Sequence, residues 1–318
     1  MTSQIKSVEI TKLFGDKNVR WQLNHTNVLV GKNGMGKSTI LQLILGCITH
    51  NPNDIEITLC QKVLITLNSG NQITLSKEIG KNSFREMLDA IGKEKIKNQL
   101  IKSIEANEDI PTDVKNQFLK DLDNEDFFAE VEKEAVHFSA TKQEEVTRVE
   151  FISTINLNAN SIRDIDFSDG KTANLLDFEI QTQLNRLLKI NDQAINANLL
   201  TSLNEMFGES NKKVGLNSNF ELEFSYKDEL LYFPQLSSGE RQVIYILLKV
   251  AIASHNNALI LMDEPEISLH LSWQEKLLNE IRRINSGSQV IIVTHSPAIV
   301  MNGWLDSFVD INDILVES

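Results

Sequence analysis

Gly31-Lys32-Asn33-Gly34-Met35-Gly36-Lys37-Ser38-Thr39 is the stretch that decides how this chain folds. It fits the phosphate-binding pattern GxxxxGK[ST]. Glycines at 31, 34 and 36 let backbone N–H groups converge on phosphate oxygens with no Cβ in the way. In this pattern Lys37 reaches the β- and γ-phosphates, and Ser38 offers its hydroxyl to Mg2+. The flanking residues supply the context the pattern needs. Val28-Leu29-Val30 reads as a buried strand feeding the loop, and Ser38–Ile48 carries apolar residues at 40, 41, 44 and 48, which is helical spacing. The N-terminus of that helix adds a dipole favourable to a bound anion. The loop alone does not choose between ATP and GTP.

Three further segments carry chemistry. Ala258-Leu259-Ile260-Leu261-Met262-Asp263-Glu264-Pro265 opens with five apolar residues, as a buried parallel strand does. Asp263, at its carboxyl end, is the candidate to hold Mg2+ through water. Glu264 is the candidate base that orients or deprotonates an attacking water. Gln289-Val290-Ile291-Ile292-Val293-Thr294-His295-Ser296 repeats the arrangement of apolar strand and polar tip, and His295 there is placed to contact a γ-phosphate and the attacking water. The last segment, Leu236-Ser237-Ser238-Gly239-Glu240-Arg241-Gln242, lies about two hundred residues beyond the phosphate loop.

In this order, GKNGMGKST, LSSGERQ, ALILMDEPE and IIVTHSP resemble the ABC-type ATPase superfamily, over residues 1–50 and 232–300. The resemblance implies an α/β P-loop NTPase fold: an ATPase head with a mixed central sheet, an antiparallel β meander and a helical insertion between phosphate loop and signature. It implies ATP and Mg2+ as ligands, with residues 31–39 around the nucleotide, Ser38 and Asp263 on the metal, and Lys37, Glu264 and His295 in catalysis. LSSGERQ takes the place of the signature. Ser237, Ser238, Gly239 and Glu240 of one copy then face the γ-phosphate held by the loop of another, which makes a homodimer or higher homo-oligomer around ATP. Glu266-Ile267-Ser268-Leu269-His270 occupies the place of the dimer-contacting D-loop.

The branch follows from spacing. Transporter subunits usually place loop and signature about a hundred residues apart; here the gap is roughly twice that, and Glu240 stands where transporters usually have Gln. The opening strand running into Leu13-Phe14-Gly15, together with the EPEISLH run, resembles the soluble branch of OLD-type, RecF-like and SMC-like ATPases. Within it the resemblance is strongest to AAA-family ATPases of bacterial anti-phage systems, and Phe151-Ile152-Ser153-Thr154 is similar to a strand-end segment of those. The 23 residues after His295 leave no room for the nuclease domain fused to OLD proteins, so the expectation is a separate effector, a nuclease or toxin. A DNA repair or maintenance ATPase and a transporter subunit are the competing readings. The Q-loop residue is open, with Asn156 or Asn158 as candidates, and Phe14 and Trp21 are the aromatics weighed for adenine stacking.

The rest of the chain reads as head over 1–82 and 208–318, with a largely helical insertion over 83–207. Strands are expected at Ile5–Leu13, Val19–Val30, within 55–79, at Val149–Ile155, Phe220–Phe224 and Leu230–Phe233. Helices are expected within 83–149 and over Asn174–Phe207. The insertion is the expected place for partner or nucleic-acid contacts. The 318 residues carry a net charge of −13, which argues against broad attraction to DNA or anionic lipid. Cys47 and Cys60 are the only cysteines, so reduced thiols in the cytoplasm are expected. No stretch reaches the roughly 18 apolar residues of a membrane span. Asp306, Asp310 and Asp313 read as a solvated acidic edge.

Overall fold

The computed structural model describes residues 4–49, 59–76, 137–140, 148–153, 164–166, 172–217 and 222–316, with scattered positions between 92 and 120. Most of the expected helical segment 83–149, the early part of the 55–79 meander and Asn156 and Asn158 lie outside the described residues.

Two sheets carry the fold. The first is parallel, with strands β3 (Thr26–Val30), β7 (Val149–Ser153), β13 (Leu259–Asp263), β14 (Val290–Thr294) and β15 (Phe308–Asp310), in the order β15-β3-β14-β13-β7. The second is antiparallel, with β1 (Ile5–Leu13), β2 (Lys17–Gln22), β4 (Lys62–Leu67), β5 (Gln72–Ser76), β6 (His137–Ala140) and β16 (Leu315–Val316), in the order β16-β2-β1-β4-β5-β6. The mixed central sheet expected from sequence thus resolves into two. The separation follows burial: β3, β13 and β14 are buried at every position, whereas β4 alternates buried with less buried residues. Smaller sheets are β8 (Asp164–Asp166) with β9 (Thr172–Asn174), and β10 (Lys212–Leu216), β11 (Leu222–Tyr226) and β12 (Glu229–Leu231).

Helix α1 (Lys37–Thr49) lies between the two large sheets. Its Ile40, Leu41, Leu43 and Ile44 join Val8 and Ile10 of β1 and Leu29, Leu261, Ile291 and Val293 of the parallel strands in one apolar cluster. The alternate residues of the same strands, Val28, Val30, Ile260, Met262, Val290 and Ile292, face a second cluster. That cluster is built with α2 (Leu175–Ile190), α3 (Gln193–Phe207), α4 (Ser238–His255) and α5 (Leu271–Ile284). The period of two along each strand therefore assigns neighbouring residues to opposite layers. Short helices α6 (Ala298–Met301) and α7 (Ile311–Ile314) close the chain.

The expected strand Val19–Val30 is two strands in different sheets. Between them Asn24 N–H donates to Asn27 Oδ1 at 2.8 Å, and Asn27 Nδ2 donates back to Asn24 O at 2.7 Å. These side-chain bonds replace ladder bonds and let the chain cross from one sheet to the other. The expected helical stretch Asn174–Phe207 is likewise divided. Asn191 is left-handed with φ 49°, and the next residue, Asp192, accepts from the N–H groups of Ala194 and Ile195 and starts α3. Asp192→Ala should destabilise the chain by about 1 kcal/mol. Thermal melting by circular dichroism should then fall by about 2–4 °C, and an unchanged midpoint would mean the cap is idle.

Candidate functional site

The carboxyl ends of three parallel strands meet the phosphate loop. Lys37, the first residue of α1, is buried, and its Nζ donates to Gly31 O at 2.9 Å and Lys32 O at 3.3 Å. It also lies 3.0 Å from His295 Nδ1 and 3.9 Å from Glu264 Oε1. Burial lowers the Lys37 pKa, against the pull of the Glu264, Asp263 and Glu266 charges. The Ser38 hydroxyl donates to Asp263 Oδ1 at 2.8 Å. Burial raises the Asp263 pKa, against the bond from Ser38 and the charge of Lys37.

Glu264 and His295 come from neighbouring strand ends. His295 Nε2 is 2.8 Å from Glu264 Oε1, and the His295 N–H donates to Glu264 Oε2 at 3.1 Å. His295 Nδ1 lies 3.0 Å from Lys37 Nζ, a donor, and 3.0 Å from Gly31 O, an acceptor. The Glu264 carboxyl is pushed up to about 8, first by burial and then by the hydrogen bond and the charge of Glu266. Its backbone is left-handed, φ 50°, and its N–H donates to Val293 O at 2.9 Å. Such a conformation in a non-glycine residue persists where its surroundings over-determine it.

The loop is closely walled. A Cβ on Gly31 would stand 2.5 Å from Ile311 Cγ2, and one on Gly36, at φ 97°, would stand 2.7 Å from the Phe14 ring. Met35 packs on the α1 cluster, while Lys32, Asn33 and Gly34 are exposed and Thr39 is partly buried. The two aromatics weighed from sequence part here. Trp21 is a core residue, 1% exposed, whereas Phe14 is 41% exposed at the rim of the loop, itself at φ 55°. The backbone cradle suits a polyphosphate, and the Ser38–Asp263 pair presents the hard oxygens that Mg2+ takes.

Ser237 is not joined by hydrogen bond to this cluster among the described residues; it stands exposed at the N-cap of α4. Ser237 and Glu240 form a reciprocal cap: Ser237 Oγ accepts from Glu240 N, and Glu240 Oε2 accepts from Ser237 N at 2.7 Å. Glu240, 3% exposed, also receives Lys212 Nζ at 2.6 Å, so its side chain points inward. The adjoining Ser238 is partly buried and Gly239 is buried; a Cβ on Gly239 would meet Ser268 O at 2.6 Å. Gln242 Nε2 donates to Pro265 O at 3.2 Å, which ties the signature helix to the Asp263–Glu264 turn of the same chain.

One residue acts where sequence reading did not place it. Glu266, assigned to a partner-contacting run, is 7% exposed and accepts from Thr294, His295 and Ser296. Only the Ser237-x-x-Glu240 cap had a sequence signal, that of a capping box.

Residues 26–302 match the protein family described as AAA domain, putative AbiEii toxin, Type IV TA system. The chain belongs to this AAA-type ATPase family. It is 25% identical over 332 residues to the Septu protein PtuA of Bacillus thuringiensis, covering 96% of this chain and 75% of that protein. It is also 34% identical over 103 residues to the DNA double-strand break repair Rad50 ATPase of Methanocaldococcus jannaschii. That stretch covers 29% of this chain and 10% of the relative. In fold it is similar to an SMC head solved bound to the C-terminal winged-helix domain of ScpA. The TM-score there is 0.50 and the identity 14%, over 94% of this chain and 91% of that one. The family is thus an ATP-binding P-loop family of AAA type, and the likeness to the SMC head is one of fold. Among the described residues no helix is long and apolar enough to cross a membrane.

Proposed function

We propose that this chain binds ATP with Mg2+ between two copies of itself, hydrolyses it, and serves as the sensor of a cytoplasmic anti-phage system. The observation that carries the reading is the convergence of Lys37, Ser38, Asp263, Glu264 and His295 at the loop. Lys37 and the loop amides hold the β- and γ-phosphates. Ser38 and Asp263 hold Mg2+, which when bound neutralises charge on the phosphate oxygens. Glu264 orients and deprotonates the attacking water, and His295 stands beside it.

Ser237 of the second copy, exposed at a helix N-terminus, meets the γ-phosphate from the other side. Binding of ATP and closure of the dimer are then thermodynamically coupled. Contacts with an effector, a nuclease or toxin on another chain, and with nucleic acid are assigned to 83–207, the insertion between the head segments 1–82 and 208–318. Asp177 of α2, within that range, pairs with Arg241 of the signature at 3.1 Å, giving a short path from a partner to Ser237. The test is phosphate release by the purified chain, with its mass measured with and without ATP. Cleavage of nucleic acid by the chain alone would reject the separate effector.

DNA maintenance is the second reading, favoured by the similarity to the break-repair ATPase over 103 residues. Turnover stimulated by DNA ends would select it.

Phe14 is assigned to the nucleobase. Phe14→Ala should raise the KM for ATP about tenfold, the size of one base–aromatic stack, and leave kcat within about twofold. Fluorescent-nucleotide titration gives the same comparison for binding, and an unchanged affinity would remove Phe14 from the site.

A further inference from the structure

Glu266 ties two strand ends together. Its Oε1 accepts three donors from one segment: the Thr294 hydroxyl, the His295 N–H at 3.0 Å and the Ser296 N–H at 3.2 Å. That segment begins at the end of β14, while Glu264 follows directly on β13. Glu266 itself lies two residues beyond Glu264, in the turn that leaves β13. One buried carboxyl group therefore ties the end of β14 to that turn. The imidazole carried by the gripped segment lies 2.8 Å from Glu264 and 3.0 Å from Lys37. Without Glu266 the three donors keep only their second acceptors: Glu264 Oε2 for the His295 N–H at 3.1 Å, Thr294 Oγ1 for the Ser296 N–H at 2.9 Å and Ser296 O for the Thr294 hydroxyl at 3.4 Å. The segment then loses its tie to residue 266 and is free to shift.

We propose that Glu266 is a positioning residue for hydrolysis: it holds Thr294–Ser296 so that His295 and Glu264 keep their mutual geometry, and it acts through Glu264 rather than on the nucleotide. The inference rests on the proposed function, in which Glu264 is the base. What the clasp needs from residue 266 is a carbonyl-type acceptor at one place. A glutamine supplies that acceptor and an alanine does not.

The experiment measures steady-state ATP turnover and nucleotide binding on the full chain. Glu266→Ala should lower kcat about 30-fold or more, since a displacement of about 1 Å at a reacting centre costs about a hundredfold. KM should stay within about threefold, because no phosphate contact is removed. Glu266→Gln should restore kcat to within about threefold of wild type. In a Glu264→Gln background, Glu266→Ala should remove no further turnover, as residues acting as one unit are not additive. Thr294→Val keeps the volume and deletes one of the three donors, and its kcat should fall about three- to tenfold. This variant and Glu266→Gln carry the test if the alanine variant does not fold.

An unchanged kcat in Glu266→Ala, a loss confined to KM, or an equal loss in the Glu264→Gln background would overturn the role. So would a glutamine variant as damaged as the alanine one, or a wild-type rate in Thr294→Val. A wild-type chain without turnover would overturn the function itself; a chain that turns over ATP with Glu266 dispensable overturns this role alone.

Discussion

Glu264→Gln lowers ATP turnover by about a hundredfold or more while ATP-bound dimers accumulate, if Glu264 is the base. The magnitude is that of a general base removed from a reaction it assists. The amide keeps an oxygen for one of the two His295 contacts, those at 2.8 and 3.1 Å, keeps the side-chain volume and loses the proton acceptor. Phosphate release and light scattering after gel filtration read the two halves of the result. A variant that neither loses turnover nor collects as dimer would mean that Glu264 has another task.

The pH dependence has a definite sign. The folded chain raises the Glu264 pKa to about 8, so the base form gains as pH rises. The kcat/KM for ATP should climb up to about pH 8 and level off above it, because that parameter reports groups of the free enzyme. Glu264→Gln should lack the climb. The same shift acts on stability: the proton that the folded chain holds more tightly stabilises it fully below about 4.5, and the contribution is lost as pH rises through about 8.

The second large effect is complementation in trans. In the proposed sandwich, Lys37→Ala removes the cation that grips the phosphates, and Ser237→Arg blocks the signature of the other copy. Each alone should fall about a hundredfold or more, the cost of deleting a donor that stabilises developing charge. Mixed in equal amounts, the two should recover about a quarter of wild-type turnover, since half of the dimers in a closed two-fold assembly are mixed and each holds one complete site. Ser237→Arg also loses its helix cap, worth about 1 kcal/mol, so melting curves accompany the assay. Mixtures no more active than their components would place Lys37 and Ser237 in one copy's site, and the sandwich would fall.

The phosphate loop, the strands carrying Asp263 and His295 and the helices after them were legible because their signals are local. Short apolar runs, helical spacing and glycines at fixed offsets are all written within a dozen residues. Less was legible where bonds join distant parts. Val19–Val30 reads as one strand until the Asn24–Asn27 exchange is seen to break it. β10 was missed because Lys-Lys-Val-Gly-Leu is short and half polar, and only pairing with β11 makes it a strand.

Phe14 and Trp21 show the same boundary in one pair. Both are aromatic residues on the opening hairpin, and nothing in their neighbours distinguishes core from rim; packing buries one and leaves the other beside Gly36. Glu240 and Glu266 were assigned by position within a motif. Their hydrogen bonds, from Lys212 of β10 and from the 294–296 segment, turn both inward. By itself the sequence determined the α/β class, the phosphate loop and the acidic and imidazole groups at two strand ends, because hydrophobic period and glycine placement are properties of the local chain. Which carboxyl faces the nucleotide site, which clasps its neighbour and which aromatic stays at the surface were decided only by the tertiary structure, since burial and hydrogen bonding depend on residues far away in the chain.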